Sequence, residues 1–290
     1  MCVSCGCAAG DSTIDGHPAA SHGVSAYSKR ARSTPQFRLG TSPQLAPLEL
    51  NHAPGVSGER LLRIEQDILA GNDSQAEQNR QRFITRGLLA LNFVSSPGSG
   101  KTSLLVDTIK RWQQRTPLAV IEGDQQTAND AERIRAAGAA AVQINTGKGC
   151  HLDAHMVAQA LDRLEANAAL PQDGLLLIEN VGNLVCPAAF DLGEAHKVVI
   201  LSVSEGEDKP LKYPDMFRAA ELLIISKIDL LPHLDFDVDQ AIRYARSLRP
   251  ELPVICLSVR SGEGCEDWLR WLEDGCSRAH AAIPIEGPAP

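Results

Sequence analysis

The sequence predicts an α/β fold, a mainly parallel sheet with helices on both faces and a ligand crevice at its carboxyl edge. Three observations carry that prediction. From residue 88 to 272, short apolar runs alternate with stretches of helical periodicity, as strand–helix–strand units do. The first run, 88–94, leads into Ser95-Ser96-Pro97-Gly98-Ser99-Gly100-Lys101-Thr102 and then a helical stretch to residue 114. A strand, a Gly-rich loop and a helix in that order form a P-loop: backbone N–H groups wrap phosphates, Lys reaches the β/γ-phosphates and Thr holds Mg²⁺. Finally, carboxylates and ligand-type side chains follow the apolar runs, at the strand ends where such folds bind ligands.

With 290 residues, 43% hydrophobic and 22% charged, the chain can bury one sizeable core and has residues left for appendages. Its net charge of -8 offers no basic stripe, which disfavours nucleic acid and anionic membrane as partners. No apolar run approaches the roughly 20 residues that span a bilayer, and no signal-peptide core is present, so a cytoplasmic location is expected. In a reducing compartment, eight cysteines read as thiols or metal ligands rather than disulfides.

Residues 1–7 hold Cys2, Cys5 and Cys7 in a segment too short for a core, which points to metal capture by three thiolates. With Met1 removed, the α-amine joins as a fourth donor; a planar N/S set favours Ni(II), a tetrahedral one Zn(II). Residues 8–56, rich in Ala, Gly, Ser, Pro and Thr, read as a flexible linker, and His17, His22 and His52 as its polar residues. From residue 57, Leu61, Leu62, Ile64, Ile68 and Leu69 recur at helical spacing until Gly71-Asn72 stops the helix, and a second helix is expected over 73–86.

The domain then runs over 57–275, with 276–290 as a flexible tail. In the P-loop, Gly98, Ser99, Gly100, Lys101, Thr102 and Ser103 are the phosphate-site residues, and Ser95 stands where the consensus has Gly. A strand at 118–121 ends in Glu122-Gly123-Asp124, which makes Asp124 a candidate for holding Mg²⁺ or positioning water. A helix over 127–137, a strand over 141–144 and a helix over 153–166 follow. Between the last two, Cys150 and His151 sit side by side at a loop–helix junction, better explained by ligation than by packing. His155 reads as a surface residue. The strand 175–178 leads to Glu179 and, three residues on, Gly182, the acid and γ-phosphate sensor of a nucleotide switch. Cys186 lies four residues further and completes a three-ligand set with Cys150 and His151. Strands over 197–203 and 222–226 precede Ser226-Lys227-Ile228-Asp229. Asp229 would accept from the two N–H donors of guanine while the Lys227 stem covers the ring; Ser226 stands where Asn is usual. A helix over 237–248, a strand over 254–257, the base-supporting loop at Ser258 and a helix over 263–272 finish the domain. Cys256, Cys265 and Cys276 have no ligand-like spacing and read as structural.

Six motifs in order, Cys-x-x-Cys-Gly-Cys at residues 2–7, the P-loop, Glu-Gly-Asp-Gln-Gln-Thr at 122–127, Gly-Lys-Gly-Cys-His at 147–151, Glu-Asn-Val-Gly-Asn-Leu-Val-Cys-Pro at 179–187 and Lys-Ile-Asp-Leu-Leu-Pro at 227–232, resemble the hydrogenase nickel-incorporation GTPases, the HypB family of SIMIBI-type P-loop proteins. The resemblance covers about residues 57–275 and the cysteines at the tip. It implies a slow GTP hydrolase with Lys101, Asp124 and Glu179 as catalytic residues. It also implies a tight nickel site at Cys2, Cys5 and Cys7 and a weaker nickel or zinc site at Cys150, His151 and Cys186. GTP would promote a two-fold homodimer, and nickel would pass through a small zinc-containing, HypA-like partner to the large subunit of [NiFe]-hydrogenase. Three alternatives stay open at this point: a urease-type nickel GTPase, a P-loop kinase acting on a small molecule, and a zinc or nickel storage protein with a regulatory nucleotide site.

Overall fold

Every residue of Leu89–Ser95 (β3) is buried, and its apolar side chains divide by parity between the two faces of the sheet, as the strand period of two requires. Leu89, Leu91 and Phe93 pack on one face with α2 (Lys101–Trp112), α3 (Asn129–Ala136) and α8 (Cys265–Ala281). Ala90 packs on the other with α1 (Gly58–Thr85) and α4 (Ala154–Ala166), and Val94 joins a third cluster there with α6 (Pro214–Ala219) and α7 (Val238–Leu248). The computed structural model describes residues 13–18, 58–125 and 129–283.

The remaining strands are β1 (Thr13–Ile14), β2 (His17–Pro18), β4 (Leu118–Asp124), β5 (Ala140–Asn145), β6 (Leu175–Glu179), β7 (His196–Ser202), β8 (Leu222–Ser226) and β9 (Val254–Leu257). They form one nine-stranded sheet in the order β2-β1-β5-β4-β6-β3-β7-β8-β9. All neighbouring pairs from β5 to β9 are parallel, and β1 and β2 add an antiparallel margin. A short helix α5 (Lys209–Lys212) follows β7. The strand order reverses around β3 and β6, so the loops after these strands open one crevice, where an open parallel sheet binds its ligand. The α/β class, the parallel sheet and the helices on both faces are as the sequence predicts. Among the described residues no helix is long and apolar enough to cross a membrane.

Three element boundaries differ from the sequence reading. The expected pair of helices over 57–86 is the single helix α1, which runs through Gly71-Asn72. The tertiary structure overrides the stop signal: the buried Asn72 side chain donates to the Asp191 carbonyl (2.8 Å) and accepts from the Ala154 N–H at the start of α4 (2.9 Å). Residues 13–18, expected within the flexible linker, form the β1–β2 hairpin on the edge of β5, with Ile14 2% exposed. The strand is too short to show periodicity; burying one Ile contributes about 1.5–3 kcal/mol. The final helix continues past the expected boundary at 275 to Ala281, because Gly275 packs so close to β3 that a Cβ there would meet Leu89 Cδ2 at 2.6 Å, and the buried Cys276 lies beyond it.

Candidate functional site

β3 ends at Ser95, and α2 begins at Lys101; between them Gly98 (φ 75°) and Gly100 (φ 100°) adopt left-handed conformations that turn the loop so the first N–H groups of α2 face the crevice. Lys101 is 8% exposed, and its Nζ donates to Ser95 Oγ at 2.7 Å. Burial pulls its pKa below the usual lysine range, against the charge of Glu179. Ser95, the departure from the P-loop consensus, is fully buried; its hydroxyl also accepts from Ser99 Oγ at 2.5 Å and donates to the Ser96 carbonyl at 2.7 Å. The hydroxyl therefore ties the loop internally.

The register between β4 and β6 sets Glu122 beside Glu179. Both are nearly inaccessible, and Glu122 Oε2 and Glu179 Oε2 have no hydrogen-bond partner. Burial, then repulsion from Glu179 and Asp124, raises the Glu122 pKa to about 9; burial raises that of Glu179 to about 7, opposed by Lys101 and by Thr102, whose Oγ1 donates to Glu179 Oε1 at 2.8 Å. Orphaned buried carboxylate oxygens beside a P-loop Thr match the all-oxygen donor set of Mg²⁺. Thr102, Glu122, Asp124 and Glu179 are the residues that would hold it, where it would neutralise phosphate charge. Glu122 is the addition here, since the sequence reading used only Asp124 from that strand. All four line one cleft of about 500 Å³ with Gly98, Ser99, Gly100, Lys101, Ser103, Gly182 and Arg133. Arg133, on α3, is a cation the sequence reading did not place there.

Next to it, Ser99, Gly100, Ser103, Ser226, Lys227, Asp229 and Ser258 line a pocket of about 320 Å³. Ser226 Oγ donates to the Ser99 carbonyl at 2.8 Å, so the residue that replaces the usual Asn still bonds the phosphate loop to β8. Lys227, in a left-handed conformation (φ 60°), donates from Nζ to the Gly98 carbonyl at 2.7 Å, and its stem lies across Gly100. Ser258 Oγ donates to Asp229 Oδ1 at 2.6 Å and accepts from the Arg260 and Ser261 N–H groups, both at 3.2 Å. That bond aims the carboxylate at the pocket.

On the far side of β6, the ligand atoms of Cys150, His151 and Cys186 lie within 4.8 Å of one another. Cys150 Sγ and His151 Nδ1 are 3.5 Å apart. Hydrogen bonds from Cys150 and then His151 lower the Cys186 pKa to about 4, against its burial. Two thiols and an imidazole suit Ni(II) or Zn(II) and leave room for a further donor. Burial raises the pKa of Cys256, Cys265 and Cys276, as expected of structural thiols. His155 is exposed. Cys2, Cys5, Cys7, His22 and His52 lie outside the described residues.

A buried polar network fastens this Cys–His–Cys cluster to the strand ends. Asn180, next to Glu179, accepts on Oδ1 from the Leu152 N–H, adjacent to His151, at 2.9 Å and donates to Asn92 of β3 at 3.2 Å. Asn92 donates to Glu194 at 3.0 Å, and Lys197 pairs with Glu194 at 3.7 Å. Lys197 Nζ also donates to the carbonyls of Pro187 (2.9 Å) and Phe190 (3.0 Å). Phe190 in turn packs on the His151 ring, centroids 4.1 Å apart. Asn183 donates to the Cys150 carbonyl at 3.3 Å, linking the two ligand loops directly. Gly182 lies against the P-loop, where an added Cβ would come 3.1 Å from Pro97 Cα. Sequence reading missed Asn92, Asn180, Glu194 and Lys197; an Asn inside the apolar run 88–94 was the one signal available.

Residues 89–256 match the model of the CobW/HypB/UreG nucleotide-binding domain. The chain is 58% identical to the hydrogenase maturation factor HypB of Azotobacter vinelandii, covering 94% of this chain and 92% of that one. It is 51% identical to HypB of Escherichia coli strain K12, covering 94% and 98%. Among solved structures, it resembles that of HypB from Helicobacter pylori in complex with nickel, at 42% identity and a TM-score of 0.69, covering 72% of this chain and 97% of that one.

Proposed function

The chain belongs to the HypB hydrogenase maturation factors, P-loop GTPases with a CobW/HypB/UreG nucleotide-binding domain, and from that premise we propose that it binds nickel and couples GTP hydrolysis to the metal's release during maturation of a [NiFe]-hydrogenase. The observation that supports the coupling most is the short segment Glu179–Cys186. It begins at the magnesium-type carboxylate, passes Gly182 against the P-loop and ends at a ligand of the Cys150–His151–Cys186 cluster. A metal site so fastened feels any movement that nucleotide imposes on the loop.

In this reading Lys101 and the loop N–H groups bind the phosphates, and Asp229, aimed by Ser258, reads the guanine edge. Glu179 or Asp124 orients the attacking water. Intrinsic turnover is slow, as fits a switch. Cys2, Cys5 and Cys7 form the tight nickel site, and Cys150, His151 and Cys186 the weaker site, for nickel or zinc. The partners are a second copy of the chain in the GTP state, a HypA-like protein with a zinc site, and the hydrogenase large subunit. The family assignment favours this over the urease-type and storage readings.

The test is nickel titration of the chain with GDP and with a non-hydrolysable GTP analogue, in wild type and in Cys150→Ala. Affinity that depends on nucleotide in wild type and not in Cys150→Ala is expected. Equal affinities in both nucleotide states refute the coupling, and equal affinities in both proteins refute the site.

A further inference from the structure

Among the described residues, four carboxylates line the phosphate cleft, Glu122, Asp124, Asp130 and Glu179, against three cations, Lys101, Arg133 and Lys227. A nucleoside triphosphate adds its own negative charge to that set, so the placement of each cation decides how well the cleft accepts it. Lys101 is the cation of the phosphate loop. Lys227 Nζ is engaged by the Gly98 carbonyl at 2.7 Å, and its stem lies across Gly100, toward the base pocket. Arg133 is the cation without a role so far.

Helix α3 presents Arg133 from a fixed base. Ala131 and Ile134 are fully buried, and Ile134 shares a core cluster with Val120 of β4. Arg135, two residues on and so on another flank of the helix, is tied to the Ala141 carbonyl (3.1 Å) and to Asp15 (3.0 Å). Arg133 instead faces the cleft, and its charge reaches the carboxylates there: burial raises the Glu179 pKa to about 7, and Lys101, Thr102 and Arg133 oppose the rise. Its one hydrogen bond among the described residues runs from Nη1 to Asp130 Oδ1 at 3.0 Å, and the two side chains are 52% and 37% exposed. A pair three residues apart on a helix surface is a weak hold. It leaves most of the planar guanidinium fork for a stronger acceptor, and phosphate oxygens match that fork bidentately.

We propose that Arg133 is a catalytic arginine supplied in cis: when GTP binds, the guanidinium exchanges Asp130 for the γ-phosphate and stabilises the charge that develops there during hydrolysis. The proposal rests on the reading above that Lys101 and the loop N–H groups bind the phosphates. In the step itself, the water oxygen bonds to the γ-phosphorus as the bond from that phosphorus to the β–γ bridging oxygen breaks. The electron pair of the broken bond leaves with GDP, and both protons of the water end on inorganic phosphate. Charge grows on the bridging oxygen and spreads over the γ-oxygens in the transition state, so a donor held there lowers the barrier more than it tightens GTP binding. GTPases with their arginine in cis still turn over slowly, which keeps the chain a switch.

The test measures GTP hydrolysis at saturating GTP, and the affinity for GTP, in the full chain and in Arg133→Ala, Arg133→Lys and Asp130→Asn. Arg133→Ala lowers the rate at saturation by about 100-fold and changes GTP affinity by less than about 3-fold. Arg133→Lys, which keeps the charge and loses the fork, stays at least about 10-fold below wild type. Asp130→Asn, which frees the guanidinium from its resting partner, raises the rate by up to about 2-fold. A rate for Arg133→Ala within about 3-fold of wild type overturns the proposal. So does a loss in Asp130→Asn equal to that in Arg133→Ala, because the pair would then matter as structure and the guanidinium not as a donor. A loss confined to GTP affinity overturns it as well. Lys101→Ala is measured beside these variants: hydrolysis unchanged there removes the phosphate-site reading, whereas an inactive Lys101→Ala with an unimpaired Arg133→Ala removes the arginine alone.

Discussion

Replacing Glu122 with Gln tests the paired carboxylates through the pH dependence of stability. The Glu122 pKa is raised from 4.5 to about 9 in the folded chain. A group raised on folding contributes stability fully present below its unfolded pKa and lost as pH rises through its folded pKa, because the native state then holds a proton that the unfolded state has released. At about 1.4 kcal/mol per unit, falling to half that slope as pH reaches the folded pKa, the metal-free wild type loses about 2 kcal/mol from this group between pH 7 and pH 9. Glu179, raised to about 7, contributes its loss mainly below that window, and Lys101, lowered by burial, acts in the opposite direction in both proteins. Glu122→Gln keeps the side-chain volume and removes the titration, so the difference between the two proteins isolates Glu122. The assay is urea denaturation of metal-free protein at pH 7, 8 and 9. The variant should gain on wild type across that range, by a total of about 2 kcal/mol, and should bind GTP with Mg²⁺ more weakly. Parallel profiles would refute the reasoning, since they would mean that Glu122 carries no raised pKa. Adding Mg²⁺ and GDP should flatten the wild-type profile, because a bound cation keeps both carboxylates ionised.

Four further outcomes are expected. Lys101→Ala should lower kcat/KM for GTP by at least about 100-fold, the scale of losing one preorganised charge at a transferring phosphoryl group, and unchanged hydrolysis would remove Lys101 from catalysis. Asp229→Ala should abolish the preference for GTP over inosine triphosphate, which lacks the 2-amino donor; a preference that survives in competition binding would assign base reading elsewhere. With its pKa lowered to about 4, Cys186 should be alkylated by iodoacetamide at a rate nearly independent of pH above about 5, while Cys256, Cys265 and Cys276 stay unreactive in the folded chain; mass spectrometry of the modified peptides checks this. Lys197→Met should cost about 3–5 kcal/mol by leaving Glu194 buried without its cation, and Glu194→Gln in the same chain should recover part of it; no recovery would show that the two residues act separately.

The alternation of apolar runs with helical stretches determined the α/β sheet and the position of every central strand, because burial on both faces writes itself into local composition. That the P-loop residues, Lys227 and Asp229 would line one crevice was legible too, since the glycine-bearing turn and the strand-end motif occur at fixed spacing. What sequence could not decide is what depends on partners distant along the chain. Gly71-Asn72 reads as a helix end, yet Asn72 finds its partners at Asp191 and Ala154, and the helix continues. Ser226 reads as a loss, yet its hydroxyl reaches the carbonyl of Ser99. Glu122 reads as one acid in a motif, and only the register of β4 against β6 sets it beside Glu179 and raises its pKa. The β1–β2 hairpin is the extreme case: two strands of two residues carry no periodic signal, and only the open edge of β5 gives them a place. Local pattern determines which elements form; the pairing of groups remote in sequence decides their ends, their charges and their reach.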